Sequence, residues 1–509
     1  MDLSALAAAA ADVFSPEALV WLITGVTAGI ILGAMPGIST NMAISLLFSF
    51  CYTIDGAAGV IMLLGVYCGG VYGGSISAIL LNTPGTPANA ATMLDGHPMA
   101  RRGEPGRALG ISTISSGFGG IFSSICLIFC ATTLAKVSLK FTSLEYCAFA
   151  VFGISIISSV SSKSIIKGLI GGVIGLLLAC VGIDPISGTI RYSFGTSYLV
   201  GGLPLIPLLI GLFAFSQALL SVEELARERA GSKERAAMFQ GGKAMTRVLP
   251  SRADMKRCLP TWLRSSVIGT VIGAIPGTGG DISSFISYNE AKRWSKHKEE
   301  FGAGCPEGIA APEAGNNAVT GGAMIPMLSL GVPGDSCTAM LLGALTIKGI
   351  SVGPTLFTSH LESAYQIFLG MFLSNVIMLI AGFALLRFVI KIVLIKSKHL
   401  IPLIFVLCFV GTYSFTHTFE DIIVMVAAGL VGYLAVKHEF TLSALVIGYI
   451  LGNMTESNFR RYLLISEGDL GRLLERPLAL VLFAAALVTL FSPVLKKAVE
   501  RVRARRAGA

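Results

Sequence analysis

The residues best suited to chemistry in this chain are small polar groups placed directly after proline–glycine pairs. Four such breaks sit in apolar context: Pro36-Gly37-Ile38-Ser39-Thr40-Asn41, Asn82-Thr83-Pro84-Gly85-Thr86-Pro87-Ala88-Asn89, Pro276-Gly277-Thr278-Gly279-Gly280-Asp281 and Pro333-Gly334-Asp335-Ser336-Cys337-Thr338. Proline ends or kinks a helix, and the glycine after it permits the turn. The polar residues that follow can cap a new helix. A helix N-terminus presents free N–H groups and partial positive charge, so it holds an anion without arginine. Four such ends converging at mid-membrane would form an anion site with carbonyl oxygens nearby for a cation. The candidate substrate-binding residues are therefore Ser39, Thr40, Asn41, Asn82, Thr83, Pro84, Gly85, Thr86, Asn89, Pro276, Gly277, Thr278, Gly279, Pro333, Gly334, Ser336 and Thr338. The competing reading is ordinary kinks or surface turns, with each asparagine a simple cap.

Three acids accompany these breaks. Asp281 and Asp335 each follow a Pro-Gly pair, and Glu313 lies in Pro312-Glu313-Ala314-Gly315-Asn316-Asn317. An acid near the middle of a membrane is expensive and points to function. Asp281, Asp335 and Glu313, with Asn316 and Asn317, are the candidate ion-coupling residues. They could carry a proton, or hold Na+ near Asp281 and Asp335. The alternative for each acid is a helix N-cap at the interface. No other cofactor is expected.

The elements that position these groups must lie in a bilayer. Only 13% of the 509 residues are charged, 53% are hydrophobic, and 59 are glycine. Mean hydropathy is +0.76. That excludes a soluble enzyme, a disordered chain, a disulfide scaffold and an outer-membrane barrel. Recurrent apolar spans of about 20 residues indicate an all-α polytopic membrane protein. About 12–14 membrane segments are expected, because some segments are too short or too broken to cross alone and read as re-entrant. The ten cysteines are scattered, mostly in apolar runs, with no CxxC pair, and the six histidines show no metal spacing. There is no GxxxxGK[ST], HExxH or GxSxG, so neither ATP binding through a P-loop nor an enzyme is expected. The glycines at 65, 69, 70, 73 and 74 read as a close-packing face.

The segments repeat. Gly29-x-x-x-Gly33-Ala34-Met35-Pro36-Gly37 returns 240 residues later as Gly269-x-x-x-Gly273-Ala274-Ile275-Pro276-Gly277. Gly73 and Pro84-Gly85 return 249 residues later as Gly322 and Pro333-Gly334. The expected organisation is a first membrane repeat at 1–220, a basic cytoplasmic linker at 221–261, a second repeat with an extra C-terminal span at 262–495, and a basic tail at 496–509. No Lys or Arg precedes Arg101, whereas the linker and tail are rich in both. By the positive-inside rule the linker and tail are cytoplasmic and residues 1–16 lie outside. Arg101, Arg102, Arg107, Lys163 and Lys167 then fall inside, while Lys136 and Lys140 are discordant. The two repeats are thereby inverted, a plan that recurs in secondary transporters.

The stretches GAMPGIST, YGGSISAILLNTPGTPANAATMLDGHPMARRGEPGRAL, GAIPGTGGDISSFISYNEAKRWSK, PEGIAAPEAGNNAVTGGAMIPMLSLGVPGDSCTAMLLGAL and NFRRYLLISEGDLGRLLERP span nearly the whole chain. Together they resemble the TctA family, the large transmembrane subunit of bacterial tripartite tricarboxylate transporters. One local departure is Glu467, where a small residue is expected. The resemblance implies a multi-pass permease of the bacterial inner membrane. It would work with a periplasmic substrate-binding protein and a small membrane subunit, importing a carboxylate with Na+ or H+. An ion or organic-anion channel using the same broken helices is the alternative. The repeat disfavours it, since a repeat suits alternating access.

Overall fold

The computed structural model of the chain describes residues 2–160, 164–228, 248–393 and 397–491. Lys163, the basic stretch 229–247 and the tail 496–509 lie outside them.

Helices make up most of the described chain. The first half carries α1 (Leu3–Val13), α2 (Pro16–Ala34), α3 (Thr40–Thr53), α4 (Ala58–Leu81) and α5 (Ala90–Arg101), the last entered through a 3-10 turn at Pro87–Asn89. It continues with α6 (Pro105–Ser138), α7 (Ser143–Val160), α8 (Ile165–Ala179), α9 (Leu205–Leu209) and α10 (Ser216–Glu228). A π turn at Ile210–Phe215 joins α9 to α10, and a short hairpin pairs Gly182–Ile183 with Ile190–Arg191. The second half carries α11 (Arg252–Gly273), α12 (Gly279–Trp294), α13 (Pro306–Leu330), α14 (Ser336–Ile347) and α15 (Leu356–Ser359). It continues with α16 (Leu361–Val393), α17 (Ser397–Thr416), α18 (Phe419–Lys437) and α19 (Leu442–Ile465), and a last apolar helix runs over Pro477–Phe491. Where the sequence suggested a linker at 221–261, α10 runs on to Glu228 and α11 begins at Arg252. A reciprocal Ser251–Asp254 capping box fixes that start.

Among the described residues, six helices are long and apolar enough to cross a bilayer: Pro16–Ala34, Ala58–Leu81, Pro105–Ser138, Leu205–Ala226, Leu361–Val389 and Phe419–Lys437. Shorter apolar helices, α14 among them, supplement these. The protein is thus an all-α polytopic membrane protein. Short helices arise where Pro-Gly breaks cut the apolar run, as between α2 and α3 or α13 and α14.

The contacts group the chain into two bodies, one of residues 1–136 with 204–434 and one of 137–203 with 435–509. Each body draws on both sequence halves. In the first body, α2 packs along α4, and α11 packs along α13. The two pairs meet through equivalent atoms. A methyl group built on Gly33 would lie 2.4 Å from the carbonyl oxygen of Gly70, and one on Gly273 would lie 2.8 Å from that of Val319. A methyl on Gly29 would meet the Val66 carbonyl at 2.6 Å, and one on Gly269 the Gly315 carbonyl at 2.2 Å. Backbones this close pack by dispersion where the lipid supplies no hydrophobic drive.

The second body is built from α7, α8 and α19. Gly175 and Gly448 admit the close approach of α8 and α19, and Leu144, Ala148, Tyr462 and Ala479 form a small core. A groove of about 340 Å³, almost wholly apolar, runs beside Cys147, Leu176, Gly452 and Phe483. Next to it is an ion-pair network. Asp184 bonds Arg460 at 2.5 Å, and Arg191 bonds Glu456 at 2.6 Å. In the loop after α8, the Arg460 hydrogen bond, aided by the backbone N–H groups of Ile186 and Ser187, holds the Asp184 carboxyl well below the usual carboxylate range.

Candidate functional site

The four Pro-Gly breaks all lie in the first body, and their chain turns are built alike in two pairs. Gly37 and Gly277 both adopt left-handed backbone, φ +85° and +84°, a region costly for a side-chain-bearing residue. Gly85 and Gly334 are needed for space instead. A methyl on Gly85 would lie 2.6 Å from both the Gly33 carbonyl oxygen and the Gly74 α-carbon. A methyl on Gly334 would lie 2.7 Å from the Gly273 carbonyl oxygen and 2.6 Å from the Ala323 α-carbon. Within the second half the two breaks are tied directly, the Gly277 N–H donating to the Gly334 carbonyl at 2.6 Å.

The helices that start after the breaks pair crosswise between halves. The start of α3 meets the start of α14: Asn41 Nδ2 donates to Ser336 Oγ at 3.0 Å, and Cys337 Sγ donates to Asn41 Oδ1 at 2.8 Å. The start of α12 meets the Pro87–Asn89 turn that leads into α5. There a methyl on Gly280 would lie 2.1 Å from Asn316 Oδ1 and 3.4 Å from the Ala88 methyl.

At the first of these junctions Asp335 is the N-cap of α14. Its Oδ1 accepts from the Thr338 backbone N–H at 2.7 Å and from Thr338 Oγ1 at 2.8 Å, and the backbone N–H of Asp335 donates to Thr338 Oγ1 at 2.9 Å. Its Oδ2 accepts from Tyr67 on α4 at 2.8 Å. Ser39 caps α3 by accepting from the Met42 N–H at 3.3 Å. Thr40 is buried and its Oγ1 finds no protein partner.

At the second junction Thr86 Oγ1 donates to Asn89 Oδ1 at 2.7 Å. Asn89 Nδ2 in turn donates to Glu313 Oε1 at 3.4 Å. Glu313, on α13, is 0% exposed. Thr92 of α5 also donates to its Oε1, at 2.5 Å, and Ser116 of α6 donates to its Oε2 at 2.8 Å. One turn further along α13, the buried Asn316 Nδ2 and Asn317 Oδ1 find no protein partner. Asn317 Nδ2 donates to the Glu313 carbonyl at 3.0 Å.

Not every candidate joins these clusters. Asn82 is an exposed left-handed C-cap of α4, φ 53°, and Thr83 Oγ1 donates to the Leu81 carbonyl at 3.3 Å. Both act in the turn. Thr278 Oγ1 donates to the carbonyls of Ile272 and Ile275, closing the end of α11 beside Pro276 and Gly279. Asp281 is exposed on the first turn of α12.

Sequence reasoning missed Tyr67, Thr92, Ser116 and the sulfur of Cys337. Tyr67 was reachable, since it stands 249 residues before Asn316, at the twin position of a residue already singled out. It also missed Asp95, 0% exposed on α5. One Asp95 oxygen accepts the backbone N–H groups of Gly302, Gly304 and Cys305 at 2.9, 2.8 and 2.7 Å, and the other accepts from Tyr288 at 2.9 Å. It ties α5 to the segment entering α13 and to α12.

No Lys or Arg pairs with Asp281, Asp335 or Glu313 among the described residues. Broken helices meeting over neutral donors and acids, in a multi-pass helical bundle, define a membrane protein with a polar centre inside the lipid-facing fold. Residues 19–447 match the Tripartite tricarboxylate transporter TctA family, and the chain belongs to that family, as a tricarboxylate transporter component. It is 34% identical over 473 residues, covering 93% of this chain and 92% of the relative, to a protein of Agrobacterium vitis described as "Uncharacterized 52.8 kDa protein in TAR-I ttuC' 3'region". It is 32% identical over 227 residues, 45% of this chain and 94% of the relative, to a second Agrobacterium vitis protein described as "Uncharacterized protein in TAR-II ttuC' 3'region". No solved structure matches the chain.

Proposed function

We propose that this chain is the large permease subunit of a binding-protein-dependent secondary transporter. It imports tri- or dicarboxylates, or related organic anions, across the bacterial inner membrane using a cation gradient. A periplasmic binding protein delivers the substrate, and a small membrane subunit completes the pair. The observation that carries the reading is the convergence of broken-helix starts from both halves on buried polar atoms with no protein partner, Thr40 Oγ1 and Asn316 Nδ2. Helix N-termini and neutral donors suit carboxylate oxygens.

The acids supply the argument for coupling. An anion about 6 Å from an ionised carboxylate is repelled by on the order of 3 kcal/mol per charge pair at an effective dielectric near 20. With no basic side chain to offset this, a carboxylate substrate binds well only when Asp335, Asp281 or Glu313 is neutralised by a bound cation, such as Na+ near Asp281 and Asp335, or by a proton. Two halves of inverted orientation would then present the centre to either side in turn.

The test is uptake of labelled citrate and smaller dicarboxylates into vesicles carrying this chain with both partner subunits. Accumulation is expected with an imposed Na+ or pH gradient. Uptake unchanged after collapse of every ion gradient would sink the secondary-transport reading.

A further inference from the structure

Glu313 carries a different burden from the two aspartates. Asp335 is occupied as a helix cap and Asp281 is exposed, whereas Glu313 caps nothing and is wholly enclosed. Both of its oxygens are engaged by the side chains of Asn89, Thr92 and Ser116, all uncharged. Two of the three are hydroxyls, which accept as readily as they donate. A protonated carboxyl would find an acceptor in Thr92 or Ser116 by rotation of one O–H bond. An ionised carboxyl would take all three as donors. The nest therefore fits both charge states without moving the backbone.

No other titratable group is placed to fix the charge on Glu313. From α4, Tyr72 faces it, with its hydroxyl bonded to Thr113 at 2.7 Å. From α5, Asp95 is bonded to the 302–305 backbone, and His97 to the Ile79 carbonyl at 3.1 Å. From α12 come Asp281 and Tyr288, the latter bonded to Asp95, and from α14 comes Asp335, bonded to Tyr67. On α11, Asp254 pairs with Arg107 of α6, and Arg257 pairs with Glu300 and Glu307 beside Cys258 and Cys305, toward the start of α13, where Glu307 stands about one and a half turns before Glu313. Between Arg107 and Lys136, α6 has no charge. A lone buried acid with switchable partners is a proton carrier rather than half of an ion pair.

We propose that Glu313 is the proton-binding group of the transport cycle, protonated as substrate binds and deprotonated as it is released on the other side. The proposal rests on the transport reading above. In the step a hydronium ion gives its proton to a Glu313 carboxylate oxygen: one O–H bond of the aqueous donor breaks as one to Glu313 forms, water is left behind, and Glu313 loses its negative charge. Asn89 gives the coupling a route. It holds Glu313 with its Nδ2 and the Thr86 hydroxyl with its Oδ1, so the charge on Glu313 bears directly on the second Pro-Gly break.

The experiment uses the three-subunit complex in vesicles, in Na+-free buffer, with labelled citrate and the wild-type, Glu313→Gln and Glu313→Asp chains. Glutamine imitates the protonated carboxyl. In Glu313→Gln, accumulation driven by a pH gradient is expected to fall by about tenfold or more. Citrate exchange across the same vesicles without a gradient should fall several-fold less than accumulation does, because exchange needs no change of protonation. Glu313→Asp should keep part of the pH-driven accumulation. Glu313→Gln vesicles that still accumulate citrate like wild type overturn the proposal. So does loss of exchange together with accumulation, which would make Glu313 a binding or structural residue. If, in a second run with Na+ supplied, wild type accumulates citrate with a Na+ gradient but never with a pH gradient in either run, the proton role falls while the transport reading stands. If wild type neither accumulates nor exchanges any carboxylate, the transport reading falls first. Should Glu313→Gln fail to insert, Thr92→Ala removes one Glu313 donor. It should shift the pH dependence of uptake by about half a unit or more, and an unmoved profile overturns the proposal.

Discussion

The break before α5 and the break before α14 are twins in backbone and differ in charge, the first neutral and the second acidic. Gly85 and Gly334 touch equivalent carbonyl oxygens and α-carbons at nearly the same distances. After them, Thr86 and Asn89 stand where Asp335 and Thr338 stand 249 residues later. Both pairs close on themselves, Thr86 with Asn89 and Asp335 with Thr338. The first-half pair is neutral and passes its hydrogen bonding on to an acid of the other half, Glu313. The second-half pair contains its own acid and receives a hydroxyl from the other half, Tyr67. One backbone solution thus serves two electrostatic roles, and shape and charge are separately variable here.

The shape side of the comparison breaks hardest. Gly85→Val and Gly334→Val should each destabilise the protein severely, by about 3 kcal/mol or more, because the added carbons meet backbone rather than a movable side chain. Thermal melting of the detergent-purified chain measures this, and similar losses for both would show the twin contacts to be equivalent. A large loss for one alone would show that the two breaks differ in shape after all.

The charge side should leave folding nearly intact. Asp335→Asn keeps a good N-cap, so melting should move by only about 0.5 kcal/mol, while coupled uptake falls by about tenfold. Asp281→Asn should impair uptake less, since that carboxyl is already exposed. Unchanged kinetics and ion dependence in both variants would remove the aspartates from the site. Tyr67→Phe deletes one hydrogen bond to Asp335, worth about 1 kcal/mol, so a modest loss of uptake is expected. A Tyr67→Phe loss as large as that of Asp335→Asn would mean the tyrosine contacts substrate itself.

The smallest expected effect concerns the second body. Asp184 has a depressed carboxyl pKa, so its contribution to stability is present above the unfolded value of about 3.9 and disappears as pH falls through the lower folded value. Melting should therefore be insensitive to Asp184→Asn pH effects between about pH 5 and 7. A difference between wild type and Asp184→Asn that changed across that range would contradict the Arg460 pairing.

Much of this centre was legible in the sequence because proline and glycine act locally. The starts of α3, α12 and α14 follow directly from Pro36-Gly37, Pro276-Gly277 and Pro333-Gly334, and the repeat offsets point to the twin positions. The donors to Glu313 were not legible. Thr92 is an ordinary threonine and Ser116 is one of six serines in α6, and only folding places them against an acid some two hundred residues away. The crosswise meeting of α3 with α14 was hidden for the same reason, since 295 residues separate Asn41 from Ser336. The second body was missed because its two stretches, 137–203 and 435–509, share no motif.

The crosswise pairing has a further consequence. The first break of each half meets the second break of the other. Contacts in which i meets j and j meets i have the reciprocity of an isologous dimer. A single half would leave both junctions open, and two identical copies about a twofold axis would close them with identical charge. Joining the halves in one chain releases that constraint, so that a threonine in one half answers an aspartate in the other.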